Sequence, residues 1–257
     1  MVHARFHFPS RALGRAAEFH IILPKPQSAF AEVMRTDASK IKKCLWFFHG
    51  VGDSAETVLL QTEIAAMADE HNLMIVLPSV ENSFCLDLGA GMRFRSYLLD
   101  ELIPYVQSIL PAPSGRENRL IGGISMGGYG AYSLALEQPE LFSKVFALSG
   151  ALDLKSAARF ARACDIPLPP PLSGGADLPK VWDLETLLER ARGSGARLPE
   201  FYLACSEADY FWKANQRFAE CAEAIGFPAV KLHSGPGSHD WAFWRANLAQ
   251  AVEWAVT

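Results

Sequence analysis

Short runs of apolar residues alternate along the chain with longer segments in which apolar residues recur at helical spacing. The short runs are rich in β-branched and aromatic residues, as buried parallel strands tend to be. They predict strands over Lys43–His49, Leu73–Pro78, Leu120–Ile124, Val145–Leu148, Phe201–Cys205 and Val230–His233. The pattern is typical of an α/β fold with a mostly parallel sheet flanked by helices.

The segments between these strands predict helices, and Phe94–Leu110 is an example because its apolar residues fall on one stripe. The predicted helices are Ala55–His71, Phe94–Leu110, Met126–Gln138, Phe211–Ile225 and His239–Val256. The opening segment ARFHFPSRALGRAAEFHIILP instead predicts two strands around a turn, which would begin the sheet with an antiparallel pair.

Residues from about 152 to 198 interrupt this alternation of predicted strands and helices. They contain CDIPLPPPLSGGADLP, which continues neither a helix nor a central strand, followed by a short helix around Leu184–Arg192. Because the strand Phe201–Cys205 follows directly, we predict one domain over residues 1–257 in which residues 152–198 are an insertion. We expect this insertion to form a small lid over the carboxyl edge of the sheet.

Composition narrows the possible functions. Half of the 257 residues are apolar and 20% are charged, a balance that supports a sizeable core. The net charge is −4 and no block of like charge occurs, which argues against nucleic-acid and anionic-membrane partners. The longest stretch without Asp, Glu, Lys or Arg, Leu120–Leu136, is too rich in glycine and polar groups for a membrane span.

The N-terminus has no apolar run of the length of a signal peptide, so we expect a cytoplasmic protein. The five cysteines are odd in number and lack CxxC spacing, which argues against disulfides and a structural zinc site. No metal is expected.

The strongest chemical signal is Gly-Ile-Ser-Met-Gly at residues 123–127, a GxSxG motif between a predicted strand and a predicted helix. A sharp turn there would expose the Ser125 hydroxyl at the carboxyl edge of the sheet, and Gly123 and Gly127 would leave the turn enough room. Ser125 is therefore the candidate nucleophile.

A serine nucleophile needs a base, and His239 has the best position among the seven histidines. It follows the last predicted strand through Ser-Gly-Pro-Gly-Ser and begins the last helix. The acid that orients this base should follow the preceding strand, where Asp209 is favoured and Glu207 also qualifies. Asp153, after the strand Val145–Leu148, is a third candidate.

The oxyanion formed on attack needs two backbone N–H donors. Met126, directly after the nucleophile, would supply one, and Val51 in His49-Gly50-Val51-Gly52-Asp53 would supply the other. We favour a bracing role for the His49 side chain. Two aromatic residues near Asp209 and His239, Trp212 and Trp241, are candidate substrate contacts.

These motifs, in this order, resemble the α/β-hydrolase serine esterases of the esterase D group, which includes tributyrin esterases and S-formylglutathione hydrolases. The resemblance covers nearly the whole chain and rests on FPSRALGRAAEFHIILP, FFHGVGDS, ISMGGYGA, CSEADYFWKAN and GSHDWAFW. It implies the α/β-hydrolase fold and the same assignment of Ser125, Asp209, His239, Val51 and Met126. Gly-Val-Gly-Asp-Ser differs from the Gly-Leu-Thr-Cys-Thr typical of the S-formylglutathione hydrolases, so the tributyrin-esterase branch is favoured.

We therefore expect a serine carboxylesterase that hydrolyses short-chain acyl esters of small molecules through an acyl-enzyme, without a cofactor. One alternative is a thioesterase of the S-formylglutathione hydrolase type or an acyltransferase that uses the same three residues. Another is a non-catalytic binding protein on the same fold.

Overall fold

The computed structural model describes residues 1–25, 41–110, 113–173, 177–227 and 230–257. Within these residues, eight strands form one sheet in the order β1-β2-β4-β3-β5-β6-β7-β8. The pairs β1–β2 and β2–β4 are antiparallel, and the other neighbours are parallel. The strands are β1 (Val2–Ser10), β2 (Arg15–Leu23), β3 (Lys43–Phe48), β4 (Leu73–Pro78), β5 (Arg119–Ile124), β6 (Lys144–Leu148), β7 (Glu200–Ala204) and β8 (Val230–His233). The predicted α/β class and the antiparallel start are confirmed.

Helices flank the sheet on both faces. They are α1 (Ala55–Gln61), α2 (Ile64–His71), α3 (Phe94–Ser96), α4 (Ile103–Ile109), α5 (Met126–Glu137), α6 (Leu154–Ala163), α7 (Leu184–Gly193), α8 (Trp212–Ala224) and α9 (Trp241–Val256). In the described part of the chain, no helix combines the length and apolar character needed to cross a membrane.

Strand β3 shows how the sheet divides the core in two. Its side chains alternate between the faces, so Trp46 joins the cluster that contains Tyr129 of α5, whereas Phe47 joins the cluster that contains Phe243 of α9. Burial on both faces explains why the parallel strands are apolar throughout. The two layers fix α5 and α9, which begin at the carboxyl edge where the predicted site residues lie.

Two predicted helices are less regular than the sequence suggested. The segment 55–71 is interrupted at Thr62, an extended residue that ends α1 and whose hydroxyl donates to the Val58 carbonyl at 2.7 Å and accepts the Ile64 N–H at 3.3 Å. The segment 94–110 contains a π-helical turn, Tyr97–Leu102, just before Pro104. Proline cannot donate a backbone hydrogen bond, and a widened turn accommodates that loss.

Residues 152–198 contain a second helix, α6, in addition to the one that the sequence predicted around Leu184–Arg192. Its N-cap is Asp153, whose carboxylate accepts the N–H groups of Lys155 and Ser156. The prolines that suggested irregular structure begin only at Pro167, after α6 has ended. Helix α7 matches the expected helix closely. Residues 174–176 of the predicted insertion lie outside the described residues.

Candidate active site

Ser125 lies in the sharp turn that joins β5 to α5. Its backbone has φ 52° and ψ −111°, a conformation that costs a non-glycine residue roughly 1–3 kcal/mol. Neighbouring backbone holds it there: the Ser125 N–H donates to the Leu148 carbonyl at 2.9 Å, and the Ala151 N–H donates to the Ser125 carbonyl at 2.9 Å. The end of β6 thus fixes the serine at the carboxyl edge of the sheet.

Close backbone approach requires the two glycines of the motif. A Cβ atom on Gly123 would stand 2.4 Å from the Gly127 carbonyl carbon, and one on Gly127 would stand 2.3 Å from the Phe48 carbonyl oxygen. Both distances are far inside van der Waals contact with backbone that cannot move away. The spacing in GxSxG therefore has a packing cause in this chain.

The structure brings Ser125, His239 and Asp209 together in one hydrogen-bonded chain. His239 Nε2 lies 3.0 Å from Ser125 Oγ, and His239 Nδ1 lies 3.0 and 3.2 Å from the two carboxylate oxygens of Asp209. The Asp209 side chain is fully buried and that of His239 is 13% exposed. With Nδ1 protonated towards the carboxylate, Nε2 faces the serine hydroxyl as an acceptor.

The alternative acids lie elsewhere. Asp153 is engaged as the N-cap of α6. Glu207 is exposed and accepts a hydrogen bond from Ser234 Oγ at 3.3 Å. Of the three candidate carboxylates, only Asp209 meets the His239 ring.

The loops that carry Asp209 and His239 are fastened to each other. Ser206 Oγ donates to the Gly237 carbonyl at 2.6 Å, and the Cys205 N–H donates to the His233 carbonyl at 3.0 Å. Gly237 has φ 138°, and a Cβ atom there would stand 2.8 Å from the Phe243 ring. Only glycine suits this point of the loop before His239.

The loop after β3 passes next to Ser125, since a Cβ atom on Gly50 would stand 3.8 Å from Ser125 Cβ. His49 braces this loop, as the sequence analysis favoured. The Val80 N–H donates to His49 Nε2 at 2.9 Å, so Nδ1 carries the proton and donates to the Gly50 carbonyl at 2.7 Å. Burial lowers the pKa of His49 to about 4, which keeps the ring neutral.

The two candidate oxyanion donors belong to the residue that follows Ser125 and to the loop after β3. Met126 is the first residue of α5, and N–H groups in the first helical turn have no partner within the helix. Val51 follows Gly50 in the loop beside Ser125. The next residue, Gly52, donates its N–H to Asn82 Oδ1 at 2.7 Å, and Asn82 Nδ2 donates to the Pro167 carbonyl at 3.0 Å. Asn82 therefore links this loop to the predicted insertion.

Three aromatic rings surround His239. Phe160, Phe211 and Trp244 each place a ring edge-on to the imidazole, at centroid distances of 5.2, 5.1 and 5.1 Å. The sequence pattern does not mark Phe160 or Phe211 as site residues. Phe160 belongs to α6, and recognising Asp153 as an N-cap before an amphipathic segment would have revealed that helix.

The two predicted substrate contacts are less directly placed. Trp241 packs edge-on against Trp244 at 5.0 Å, so it touches a neighbour of His239. Trp212 is the partly exposed first residue of α8. A substrate-binding role for either stays a prediction.

Comparisons with known proteins agree with this architecture. The family model described as putative esterase matches residues 10–255. An acetyl esterase of Caldicellulosiruptor saccharolyticus is 29% identical, over 99% of this chain and 98% of that protein.

Solved structures from Staphylococcus aureus are also similar. The fluorophosphonate-binding serine hydrolase FphF has a TM-score of 0.86 and 27% identity, over 100% of this chain and 98% of that one. The S-formylglutathione hydrolase FrmB has a TM-score of 0.82 and 26% identity, over 100% of this chain and 99% of that one. The family match, the α/β-hydrolase sheet and these serine hydrolase relatives identify the chain as a member of the putative esterase family and a serine hydrolase that acts on esters.

Proposed function

We propose that the protein hydrolyses short-chain acyl esters through an acyl-enzyme formed on Ser125. The observation that carries this proposal is the hydrogen-bonded chain from Ser125 Oγ through His239 to the buried Asp209. The relative named acetyl esterase supports a short acyl group. The rings of Phe160 and Phe211 beside His239 limit the room next to the base.

The reaction has two balanced halves. His239 Nε2 takes the Ser125 proton while Oγ bonds to the ester carbon, and the N–H groups of Val51 and Met126 stabilise the oxyanion. The intermediate collapses as His239 returns that proton to the leaving alcohol. A water molecule then gives a proton to His239, attacks the acyl-enzyme and releases the acid, and Ser125 recovers its proton. Asp209 holds the imidazole and balances its transient positive charge.

The proposal is tested with p-nitrophenyl acetate and butyrate. We expect Ser125→Ala to lower kcat by several orders of magnitude and to abolish labelling by a fluorophosphonate probe. Ser108→Ala, an exposed serine on α4, is the matched control and should retain full activity. Near-normal turnover by folded Ser125→Ala would contradict the assignment.

Thioester hydrolysis is a second candidate because FrmB and a Paracoccus denitrificans relative are named S-formylglutathione hydrolases. The same three residues would perform it, since only the leaving group differs. Comparing kcat/KM for S-formylglutathione with that for p-nitrophenyl esters of increasing acyl length separates the two. We expect the acetate or butyrate ester to be the better substrate.

We also propose that residues 152–198 act as a lid on the active site of a single domain. Two contacts support this role: Phe160 packs against the His239 ring, and the Pro167 carbonyl accepts the hydrogen bond from Asn82. A third contact fastens the same segment to the nucleophile helix, because the Tyr129 hydroxyl donates to the Trp182 carbonyl. The lid would therefore contact His239 directly and the oxyanion loop through Asn82.

A further inference from the structure

Asp53 lies beside the proposed nucleophile, and the mechanism above does not use it. A Cβ atom on Gly50 would stand 3.3 Å from Asp53 Oδ2 and 3.8 Å from Ser125 Cβ. Only about the width of a small side chain separates the carboxylate from the serine. The turn that produces this approach is closed by the Asp53 N–H, which donates to the Gly50 carbonyl at 3.3 Å.

The Asp53 carboxylate is partly buried and has no protein partner among the described residues. Neither a hydrogen-bond donor nor a cationic side chain of that part of the chain lies within bonding distance of its oxygens. Ser54 caps α1 in its place, since the Ser54 hydroxyl accepts the Thr57 N–H at 3.2 Å. The Asp53 carboxylate therefore neither caps a helix nor forms a hydrogen bond or ion pair with the described residues.

A negative charge at this position opposes the proposed reaction. Attack by Ser125 places negative charge on the carbonyl oxygen beside the same loop, and like charges repel across a partly dehydrated site. Burial raises the pKa of Asp53 to about 6, so the carboxyl is mostly ionised above pH 7. A carboxylate that hinders the transition state of a plain ester can still stabilise the transition state of an ester that supplies a hydrogen-bond donor.

We propose that Asp53 is a specificity-determining residue that accepts a hydrogen bond from a hydroxyl group next to the ester bond of the substrate. The inference rests on the proposed function and names its substrate class: esters whose acyl or alcohol part carries a hydroxyl close to the carbonyl. Such a hydroxyl satisfies the free carboxylate and reduces the field that it exerts on the oxyanion.

Two pairs of isosteric esters test this assignment. 2-Hydroxyethyl acetate has a hydroxyl where propyl acetate has a methyl group in the alcohol part, and ethyl glycolate has a hydroxyl where ethyl propionate has a methyl group in the acyl part. For each pair, the ratio of kcat/KM is measured in the wild type and in Asp53→Asn at pH 7.5. Dividing the two ratios removes the intrinsic reactivity of each ester.

We expect Asp53→Asn to lower the preference for the hydroxylated ester about tenfold in one pair, because a charge-assisted hydrogen bond becomes a neutral one. The affected pair shows whether the hydroxyl belongs to the alcohol or to the acyl part. We also expect kcat/KM for the plain esters to rise a few-fold when the charge is removed. Unchanged ratios in both pairs would overturn the inference.

Glu56→Gln is the matched control, because Glu56 is an exposed carboxylate on the first turn of α1 and the substitution removes the same charge. It should leave both ratios unchanged. Thermal unfolding establishes that Asp53→Asn is folded. If the wild type hydrolyses none of the four esters, the proposed function fails. If it hydrolyses them but Asp53→Asn keeps their ratios, only the role of Asp53 fails.

Discussion

Replacing Asp209 with asparagine should trap His239 in an unproductive tautomer. Asp209 Oδ1 accepts the Phe211 N–H at 2.8 Å, and both carboxylate oxygens face His239 Nδ1. In Asp209→Asn, the amide oxygen keeps the bond from Phe211 and the NH₂ group points to Nδ1. The ring must then carry its proton on Nε2, where it faces Ser125 Oγ as a donor and cannot act as a base.

The size of the effect follows from the burial of this position. In the productive tautomer of this variant, the Nδ1–H group of His239 and the new amide NH₂ group would face each other as two buried donors. Each unsatisfied donor costs about 1–3 kcal/mol. The Asp209 side chain is fully buried, so water cannot relieve the conflict. The expected loss of about 2–6 kcal/mol corresponds to a kcat that is lower by a factor of roughly 30 to 25,000.

The assay is steady-state hydrolysis of p-nitrophenyl butyrate, with thermal unfolding as the test of folding. Glu207→Gln and Asp153→Asn are matched controls, because each neutralises one of the other candidate acids and asparagine remains a good N-cap. Both should stay within about twofold of the wild type. A folded Asp209→Asn variant that loses less than about threefold, or a control that loses as much as it does, would refute the reasoning.

Other regions of the fold give further predictions. Gly127→Ala should destabilise the protein by several kcal/mol in urea unfolding, because the new methyl group meets the Phe48 carbonyl at 2.3 Å. Asn82→Ala should lower kcat/KM about three- to tenfold by releasing the oxyanion loop from Pro167, with a loss of unfolding free energy near 1 kcal/mol. Stability should fall as the pH drops from 6.5 through about 4, because His49 stays neutral when folded and takes up a proton when unfolded. That linkage amounts to about 3 kcal/mol, measured as the difference in the pH dependence of urea unfolding between the wild type and His49→Gln.

Each of these outcomes has an internal check. Gly193→Ala places a methyl group where no atom lies within 4 Å and should leave the unfolding free energy nearly unchanged. A similar loss for Gly193→Ala and Gly127→Ala would contradict the packing argument. Equal pH dependence in the wild type and His49→Gln would assign the acid sensitivity to other groups. An Asn82→Ala enzyme with normal kcat/KM would show that the oxyanion loop holds its shape without Asn82.

The sequence identified those features in which local chemistry and long-range structure agree. The strand Leu73–Pro78 is apolar throughout, contains the β-branched residues Ile75 and Val76 and is buried on both faces, so its bounds were predicted to the residue. The position of Ser125 followed from Gly123 and Gly127 on either side, because the tight turn leaves no room for a Cβ atom at either position.

Features that depend on partners distant in sequence were harder to foresee. Phe160 reaches His239 only because α6 folds back over the edge of the sheet, and nothing within α6 itself indicates that partner. Asp153 carried an ambiguous signal, since the same carboxylate suits a helix cap and a catalytic acid. The approach of Asp53 to Ser125 depends on how the loop after β3 packs on the end of β5, which spacing alone does not define.

The hydrogen bond from Ser206 Oγ to the Gly237 carbonyl makes some contacts of the site harder to separate than others. It joins the loop of the proposed acid, Asp209, to the loop of the proposed base, His239, on the adjacent strands β7 and β8, whereas Ser125 follows β5, with β6 in between. A small spreading of the sheet edge would leave the contact between Asp209 and His239 intact and would lengthen the contact between His239 and Ser125. Heat, denaturant or a bulky acyl group should therefore weaken proton transfer before they disturb the orientation of the base.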